Sequence, residues 1–208
     1  MTFSNKVTWE IDPDNSALLI HDMQPHYLSA LPESCRRSLV ANVRAIAMAC
    51  IARGLPIFAS RVPAQGVRER GLMLDMWGRG PSVDSHALDP ELGLAGLPVR
   101  LLTKRSYSAF YGNDFEVLLR RLGRDQILIC GVYTSIGCHC SAVDAFMRDI
   151  PAFLVSDATA DLNPADHAKG LETAARLCAR VIDTEAVCAA LTPGSGARSI
   201  GQSGIDVC

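Results

Sequence analysis

The segment ALLIHDMQPHYL, residues 17–28, begins as an uninterrupted aliphatic run and stops at His21 and Asp22. An aliphatic run without polar alternation is typical of a strand that helices cover on both faces, as in a parallel sheet. In open α/β sheets, ligands bind beyond the carboxyl ends of the strands, where Asp22 would lie. The segment therefore predicts a buried parallel strand with a functional carboxylate at its end.

Five further aliphatic runs follow along the chain, at residues 56–60, 99–103, 126–133, 152–157 and 180–183. Amphipathic helical patterns separate them, such as residues 38–54, which end at a capping Gly54, and residues 163–180, which begin with Asn163 as cap and Pro164 in the first turn. Alternating strands and helices favour right-handed crossovers. The expected fold is α/β: a three-layer, doubly wound (Rossmann-like) domain with a six-stranded parallel sheet.

Length and composition indicate one globular domain that acts on a small partner. Of the 208 residues, 49% are hydrophobic and 20% are charged, and we expect a domain over residues 1–192 with a flexible, Gly- and Ser-rich tail at 193–208. The net charge of −2 gives no electrostatic reason to expect nucleic acid or a membrane surface as partner. The start lacks a signal-peptide pattern and no apolar run is long enough to cross a bilayer, so a cytoplasmic location is expected.

The cysteines offer a tempting but weak signal for metal or nucleophilic chemistry. Cys138 and Cys140 flank His139, yet zinc ligands are normally two to four residues apart and paired with a second cluster. The glycine-containing segment GRGPS, residues 78–82, does not join a strand to a helix, so it does not predict a phosphate loop. We expect neither a metal nor another cofactor.

Three polar segments are expected to converge at one edge of the sheet. Asp22 follows the first strand, Lys104 the third, and YTSIG (133–137) the fourth. An ionisable pair in a cleft is a functional candidate because its protonation is coupled. The alternatives are that Asp22 only caps the next helix and that Lys104 is a solvated turn lysine.

Five motifs together resemble the isochorismatase branch of the isochorismatase-like hydrolase superfamily: LLIHDMQ (18–24), LMLDMWGRG (72–80), TKRSYSAF (103–110), GRDQILICGVYTSIGC (123–138) and VDAFMRDIPAFLVSDATAD (143–161). The resemblance covers about residues 10–190. It implies hydrolysis of the enolpyruvyl ether of isochorismate, or of its 2-amino analogue, to pyruvate and a dihydrodiol-type acid. It also implies a homodimer in siderophore or phenazine biosynthesis, and the length favours the stand-alone form without an aryl carrier domain.

The resemblance assigns roles to individual residues. It implies Asp22 as general acid beside Lys104, with Gly137 at the position where related nicotinamidases carry their nucleophilic cysteine. Arg70 and Lys104 could bind substrate carboxylates, and Tyr133 would hold the enolpyruvyl arm. A general acid must hold a proton, and burial would raise the pKa of Asp22 while Lys104 would lower it; the sequence leaves this balance open.

The pattern departs from the isochorismatases at the groups that would orient the substrate. Val62 stands where they carry a glutamine, Arg105 and Ser106 replace an aromatic residue and an arginine, and Ser135 replaces a histidine. A variant chorismate-derived anion is therefore expected as substrate, contacted by Val62, Arg70, Arg105, Tyr133 and Ser135. Two alternatives remain open: a cysteine amidase that uses Cys138, and a catalytically silent binding scaffold.

Overall fold

The structure, a computed structural model, describes residues 4–64 and 66–192, so the tail expected at 193–208 lies outside the described residues. Its centre is a six-stranded sheet in which every adjacent pair is parallel. The strands are β1 (Ser16–His21), β2 (Ile57–Arg61), β3 (Val99–Thr103), β4 (Gln126–Val132), β5 (Ala152–Ala160) and β6 (Ala179–Ile182). Their order, β3-β2-β1-β4-β5-β6, reverses direction between β1 and β4. Ligands in doubly wound folds bind at this reversal.

Helices cover both faces of the sheet. They are α1 (Pro25–Leu28), α2 (Glu33–Arg53), α3 (Met73–Trp77), α4 (Phe115–Arg121), α5 (His139–Phe146), α6 (Pro164–Leu177) and α7 (Thr184–Leu191). Two short 3₁₀ turns (Val67–Glu69 and Pro90–Leu92) and a π-helical turn (Thr134–Cys138) complete the described elements. The parallel sheet with helices on both faces confirms the predicted three-layer α/β fold.

Two apolar layers hold the helices on the sheet because successive strand residues point to opposite faces. Leu18 and Ile20 of β1 pack with α2 and α7, whereas Ala17 and Leu19 pack with α4, α5 and α6. All six residues of β1 are buried. The strand at the reversal is thus the most enclosed part of the sheet, and its end is fixed from both sides.

Local signals placed the helix ends. Gly54 closes α2 in the left-handed conformation, and the Asn163 side chain accepts a hydrogen bond from the backbone N–H of Asp166 at the start of α6. Three boundaries differ clearly from expectation, the first being the start of α2 at Glu33, five residues before the predicted helical pattern. The helical pattern predicted to run to residue 180 ends at Leu177, because β6 takes the next residues, and β5 extends to Ala160 after a register shift against β4.

The ends of β1 and β4 approach each other closely. Their pairing ends at His21 opposite Gly131, whose φ is 111°. A Cβ atom at Gly131 would clash with the backbone of His21, so only glycine permits this approach. Directly after β1, Asp22 itself has a positive φ of 47°, a conformation that is uncommon outside glycine and recurs at functional sites.

No helix in the described ranges, 4–64 and 66–192, has the length and apolar character needed to cross a membrane.

Candidate active site

A cavity of about 210 Å³ opens beyond the carboxyl ends of β1, β3 and β4. Its wall is formed by Asp22, His26, Tyr27, Ala30, Arg70, Met73, Trp77, Lys104, Tyr107, Val132, Tyr133, Ile136, Gly137 and Leu162. The lining is mostly apolar and aromatic, with a few polar groups that converge from different strands. This composition is typical of a site for a small molecule.

Asp22 and Lys104 form a buried ion pair at this cavity. The Nζ atom of Lys104 lies 2.6 Å from Oδ2 of Asp22, and the two residues are only 2% and 5% exposed. Nζ also donates to the carbonyl oxygen of Ser106 at 2.7 Å, and the hydroxyl of Ser60 donates to Oδ1 of Asp22 at 2.7 Å. The alternative of a solvated turn lysine is therefore wrong, and both carboxylate oxygens of Asp22 have partners.

The balance that the sequence left open for Asp22 is decided by these partners. Burial raises the pKa of the carboxyl, but the charge of Lys104, the charge of the His21 ring when it is protonated in acid, and the hydrogen bonds from Lys104 and Ser60 outweigh it, so the pKa lies below its usual value. Asp22 is therefore a carboxylate in the unliganded protein. It needs a proton from elsewhere before it can act as an acid.

His21 lies behind Asp22 and is completely buried. Its Nδ1 atom is 3.0 Å from the carbonyl oxygen of Val132, which can only accept, so Nδ1 carries the proton. Its Nε2 atom then accepts from the hydroxyl of Ser141 at 3.1 Å, and that oxygen accepts from the backbone N–H of Ala109 at 2.9 Å. Burial lowers the pKa of His21 to about 4, although Asp22 opposes the shift, so the ring is neutral at physiological pH.

Gly137, in the π-helical turn after β4, faces the cavity without a side chain. A Cβ atom there would overlap with Cε1 of His21 and lie 2.9 Å from Nδ1 of the same ring. The neighbouring Cys138 points away into the core that α5 and α6 share, and it is fully buried. Burial, with smaller effects from nearby charges, raises the pKa of the Cys138 thiol well above its usual range. Neither position presents a thiolate to the cavity.

The outer half of the cavity is aromatic and cationic. The indole N–H of Trp77 donates to the hydroxyl of Tyr107 at 2.8 Å, joining α3 to the segment after Lys104. Arg70 is 6% exposed, and its Nε donates to the carbonyl oxygen of Gly78 at 2.6 Å. The guanidinium also makes a hydrogen bond with the side chain of Tyr27. Because a guanidinium has five N–H donors, others can serve an anionic ligand.

Tyr133 closes the side of the cavity towards α1. Its hydroxyl donates to the carbonyl oxygen of Tyr27 at 2.8 Å, and the two rings meet edge to face. Burial and the nearby Asp161 and Asp22 raise the pKa of Tyr133 to about 12, so the phenol stays protonated.

Five of the eight residues expected from the sequence thus line one cavity: Asp22, Arg70, Lys104, Tyr133 and Gly137. Val62, Arg105 and Ser135 do not line it. Val62 is buried, and its backbone N–H and carbonyl are both bound by the side chain of Gln24. Arg105 is exposed, and the backbone N–H of Ser135 donates to Asp161 at 2.6 Å. Their roles in substrate binding remain predictions that their positions do not favour.

Sequence reasoning missed several residues of the cavity wall and two residues that support it from behind, His21 and Gln24. His26, Tyr27, Trp77, Tyr107 and Leu162 line the cavity, although Trp77 and Tyr107 stand inside quoted motifs. Gln24 is fully buried and joins the ends of β1 and β2 to His86 through its amide. The available signal was the segment HDMQ, in which a histidine and a glutamine stand close to the aspartate at the end of an aliphatic run.

The described part of the chain contains no group of three or more His, Cys, Asp or Glu residues arranged to hold a metal ion. The cysteines described by the structure are all free thiols.

Comparisons with known proteins match nearly the whole chain. The sequence model of the isochorismatase domain family matches residues 16–186. The phenazine biosynthesis protein PhzD1 of Pseudomonas aeruginosa is 42% identical over 188 residues, which cover 88% of this chain and 90% of that protein. Enterobactin synthase component B of Escherichia coli is 38% identical over 198 residues, covering 93% of this chain and 69% of that protein. The solved structure of an isochorismatase family protein from Burkholderia thailandensis aligns with a TM-score of 0.76 at 28% identity, covering 87% and 97% of the two chains.

Proposed function

The chain belongs to the isochorismatase family, a family of hydrolases, and from this premise we propose that it hydrolyses an enolpyruvyl ether derived from chorismate. The substrate is isochorismate or a close analogue such as 2-amino-2-deoxyisochorismate. The products are pyruvate and a dihydrodiol-type cyclohexadiene carboxylate. The names of the relatives support a place in phenazine or siderophore biosynthesis.

The observation that carries the proposal is the buried pair of Asp22 and Lys104, 2.6 Å apart, in a cavity that Gly137 lines without a side chain. A vinyl ether offers no acyl carbon for a thiolate to attack, so its hydrolysis needs an acid and space. Asp22 supplies the acid and Gly137 the space. The amidase alternative lacks support because the thiol of Cys138 is buried away from the cavity.

The reaction begins when Asp22 transfers a proton to the terminal methylene carbon of the enolpyruvyl group. The electron pair of the double bond forms the new C–H bond, and the ether oxygen stabilises the resulting oxocarbenium ion. Water adds to this cation and loses a proton, giving a hemiketal. The hemiketal collapses to pyruvate and the free ring alcohol, without a covalent intermediate.

Substrate binding causes Asp22 to take up from solvent the proton that it lacks in the free protein. Two carboxylates of a dianionic substrate engage Lys104 and Arg70, which draws the charge of Lys104 away from Asp22. The substrate also excludes water and adds negative charge beside the carboxyl. Each of these changes raises the pKa of Asp22, so binding is accompanied by proton uptake from solvent.

The test is an assay of pyruvate release by the purified protein from isochorismate and from 2-amino-2-deoxyisochorismate. We expect hydrolysis of at least one of them, with kcat/KM falling as the pH rises because the free enzyme holds its acid as a carboxylate. The fall of kcat should occur at a higher pH than the fall of kcat/KM, since substrate binding raises the pKa of Asp22. Failure to release pyruvate from either compound by folded protein would refute the proposal in favour of a silent scaffold.

We also propose that the chain acts as a homodimer in the cytoplasm, as the family resemblance implies. Sedimentation equilibrium should give twice the 22.4 kDa mass of the chain. A monomer mass throughout the accessible concentration range would contradict the dimer, and recovery of the native protein outside the cytoplasmic fraction would contradict the location.

A further inference from the structure

The ring of His21 occupies the space that a side chain at position 137 would need. A Cβ atom added to Gly137 would overlap with Cε1 and approach Nδ1 and Nε2 to 2.9 Å and 3.0 Å. Real Cβ atoms do not make such contacts with a ring that stays in place. Either the ring moves or position 137 has no side chain.

The ring is held too firmly to move cheaply. Nδ1 is hydrogen-bonded to the carbonyl of Val132 at the end of β4, and Nε2 to Ser141 of α5, whose hydroxyl oxygen is itself bound by Ala109. His21 is 0% exposed, so no solvent-filled space receives the ring. Displacing the ring would remove the donor that it directs at the Val132 carbonyl and would leave the buried O–H of Ser141 without its acceptor, which is costly.

We propose that His21 is a positioning residue, and that its locked ring keeps position 137 free of side-chain atoms so that the substrate arm can reach Asp22. The same ring excludes a nucleophilic cysteine from position 137. His21 and Gly137 therefore form a matched pair that commits the cavity to acid catalysis. The role in admitting the substrate arm rests on the proposed function, whereas the steric exclusion does not.

The variant His21→Asn separates the hydrogen bond that the ring makes to Val132 from the volume that the ring fills beside Gly137. The asparagine Nδ2 can take the place of Nδ1 and donate to the Val132 carbonyl, but the atoms corresponding to Cε1 and Nε2 are gone. The variant thus vacates the volume beside Gly137 while it keeps one of the two hydrogen bonds. It is a sharper probe than alanine, which would remove both.

The first experiment measures thermal stability and steady-state kinetics for Gly137→Ala in two backgrounds. With His21 present, the added methyl group should lower Tm by about 5–10 °C, as overpacking of a buried site does, and reduce kcat/KM by about 10²-fold. In the His21→Asn background the same substitution should cost less than half of that Tm shift and recover at least about tenfold in kcat/KM relative to the single Gly137→Ala variant.

His167→Asn is the matched control background. His167 also supports the π-helical turn, through a 2.8 Å hydrogen bond between its Nδ1 and Oγ1 of Thr134, but the three atoms nearest to a Cβ at Gly137 all belong to His21. It should not rescue Gly137→Ala. The proposal is overturned if Gly137→Ala alone is harmless, if His21→Asn fails to rescue it, or if His167→Asn rescues it equally.

A second experiment asks whether position 137 becomes a thiol site when the ring is removed. Gly137→Cys is made with His21 and with His21→Asn, treated with iodoacetamide, and mapped by peptide mass spectrometry with His21→Asn alone as background. We expect alkylation at position 137 only in the double variant. Equal labelling in both backgrounds, or none in a folded double variant, would overturn the steric exclusion.

The two experiments also test the steric exclusion by His21 separately from the proposed function. The Tm and alkylation measurements need no substrate, so they decide the exclusion even if the natural protein releases no pyruvate. Conversely, pyruvate release by the natural protein together with an unhindered Gly137→Cys thiol would retain the function and overturn the role of His21.

Discussion

The ends of β1 and β4 lie side by side at the reversal of the sheet, but they contribute opposite properties. β1 ends in two buried polar side chains, His21 and Asp22, that are hydrogen-bonded on every side. β4 ends in a turn that offers Tyr133 and the bare face of Gly137. Under the proposed function, one strand end supplies the general acid and the other supplies room for the ligand.

Physical chemistry explains why the two properties are divided. A buried carboxylate must be surrounded by donors, and these occupy the space around it. Space for a ligand therefore has to come from a neighbouring element that carries no side chain at that point. Substitutions on the two strand ends should accordingly have different consequences.

The largest effect is expected from removing the reactive group on the β1 side. Asp22→Asn keeps the shape but cannot transfer a proton, so kcat should fall by about 10²- to 10⁴-fold while KM changes little. The matched control is Asp157→Asn, which alters an exposed carboxylate that caps α7 through Thr184. Turnover of Asp22→Asn within a few-fold of the natural protein would sink the division of roles.

Removing Lys104 from the ion pair tests whether its charge lowers the pKa of Asp22 at the end of β1. Lys104→Met leaves the Asp22 carboxyl buried without its cation, at a cost of about 3–5 kcal/mol near neutral pH. In the natural protein the lowered pKa of Asp22 adds stability above the unfolded pKa, and this is lost in acid. In the variant, burial raises the pKa of Asp22, so its stability should instead fall as the pH rises through that raised value.

Thermal unfolding at about pH 5 and about pH 8 measures this fall in the variant, whereas the contribution of Asp22 in the natural protein stays constant between these pH values, which both lie above the unfolded pKa. The double variant Asp22→Asn, Lys104→Met should recover much of the lost stability at the higher pH, because no unpaired charge remains. A Lys104→Met protein that is more stable at the higher pH would show that the pair does not control the charge of Asp22.

The outer half of the cavity should affect binding more than turnover. Arg70→Lys keeps the positive charge but loses the planar fork and the Nε contact with Gly78. We expect KM for the dianionic substrate to rise about tenfold, with kcat within about threefold. The opposite pattern in initial-rate measurements, a fall in kcat at constant KM, would place Arg70 with the reacting groups.

The smallest effect is expected from the thiols next to Gly137 on the β4 side. Cys138→Ala, Cys140→Ala should keep ether hydrolysis within about threefold, because Cys138 faces the core and burial raises the pKa of both thiols. The loss of packing should appear in Tm instead. If a well-folded double variant were inactive, a nucleophilic mechanism would have to be reconsidered.

Local pattern was sufficient to predict the fold and the meeting of Asp22 with Lys104. Continuous aliphatic runs predicted all six strands, because strands buried on both faces need no polar alternation. Since parallel strands end at the same edge, Asp22 and Lys104 were expected together although they lie 82 positions apart in the sequence. The motifs added the family and the glycine at position 137.

Tertiary structure alone decided which side chains face the cavity and what surrounds the reactive pair. The sequence placed Val62 and Ser135 among the binding residues, but neither belongs to the cavity wall. It also could not state the protonation of Asp22, which follows from distances to Lys104 and Ser60. Strand formation depends on periodicity within one segment, whereas side-chain direction, burial and pKa depend on contacts between segments that are distant in the chain. The overlap of His21 with position 137 is such a contact, and no local pattern encodes it.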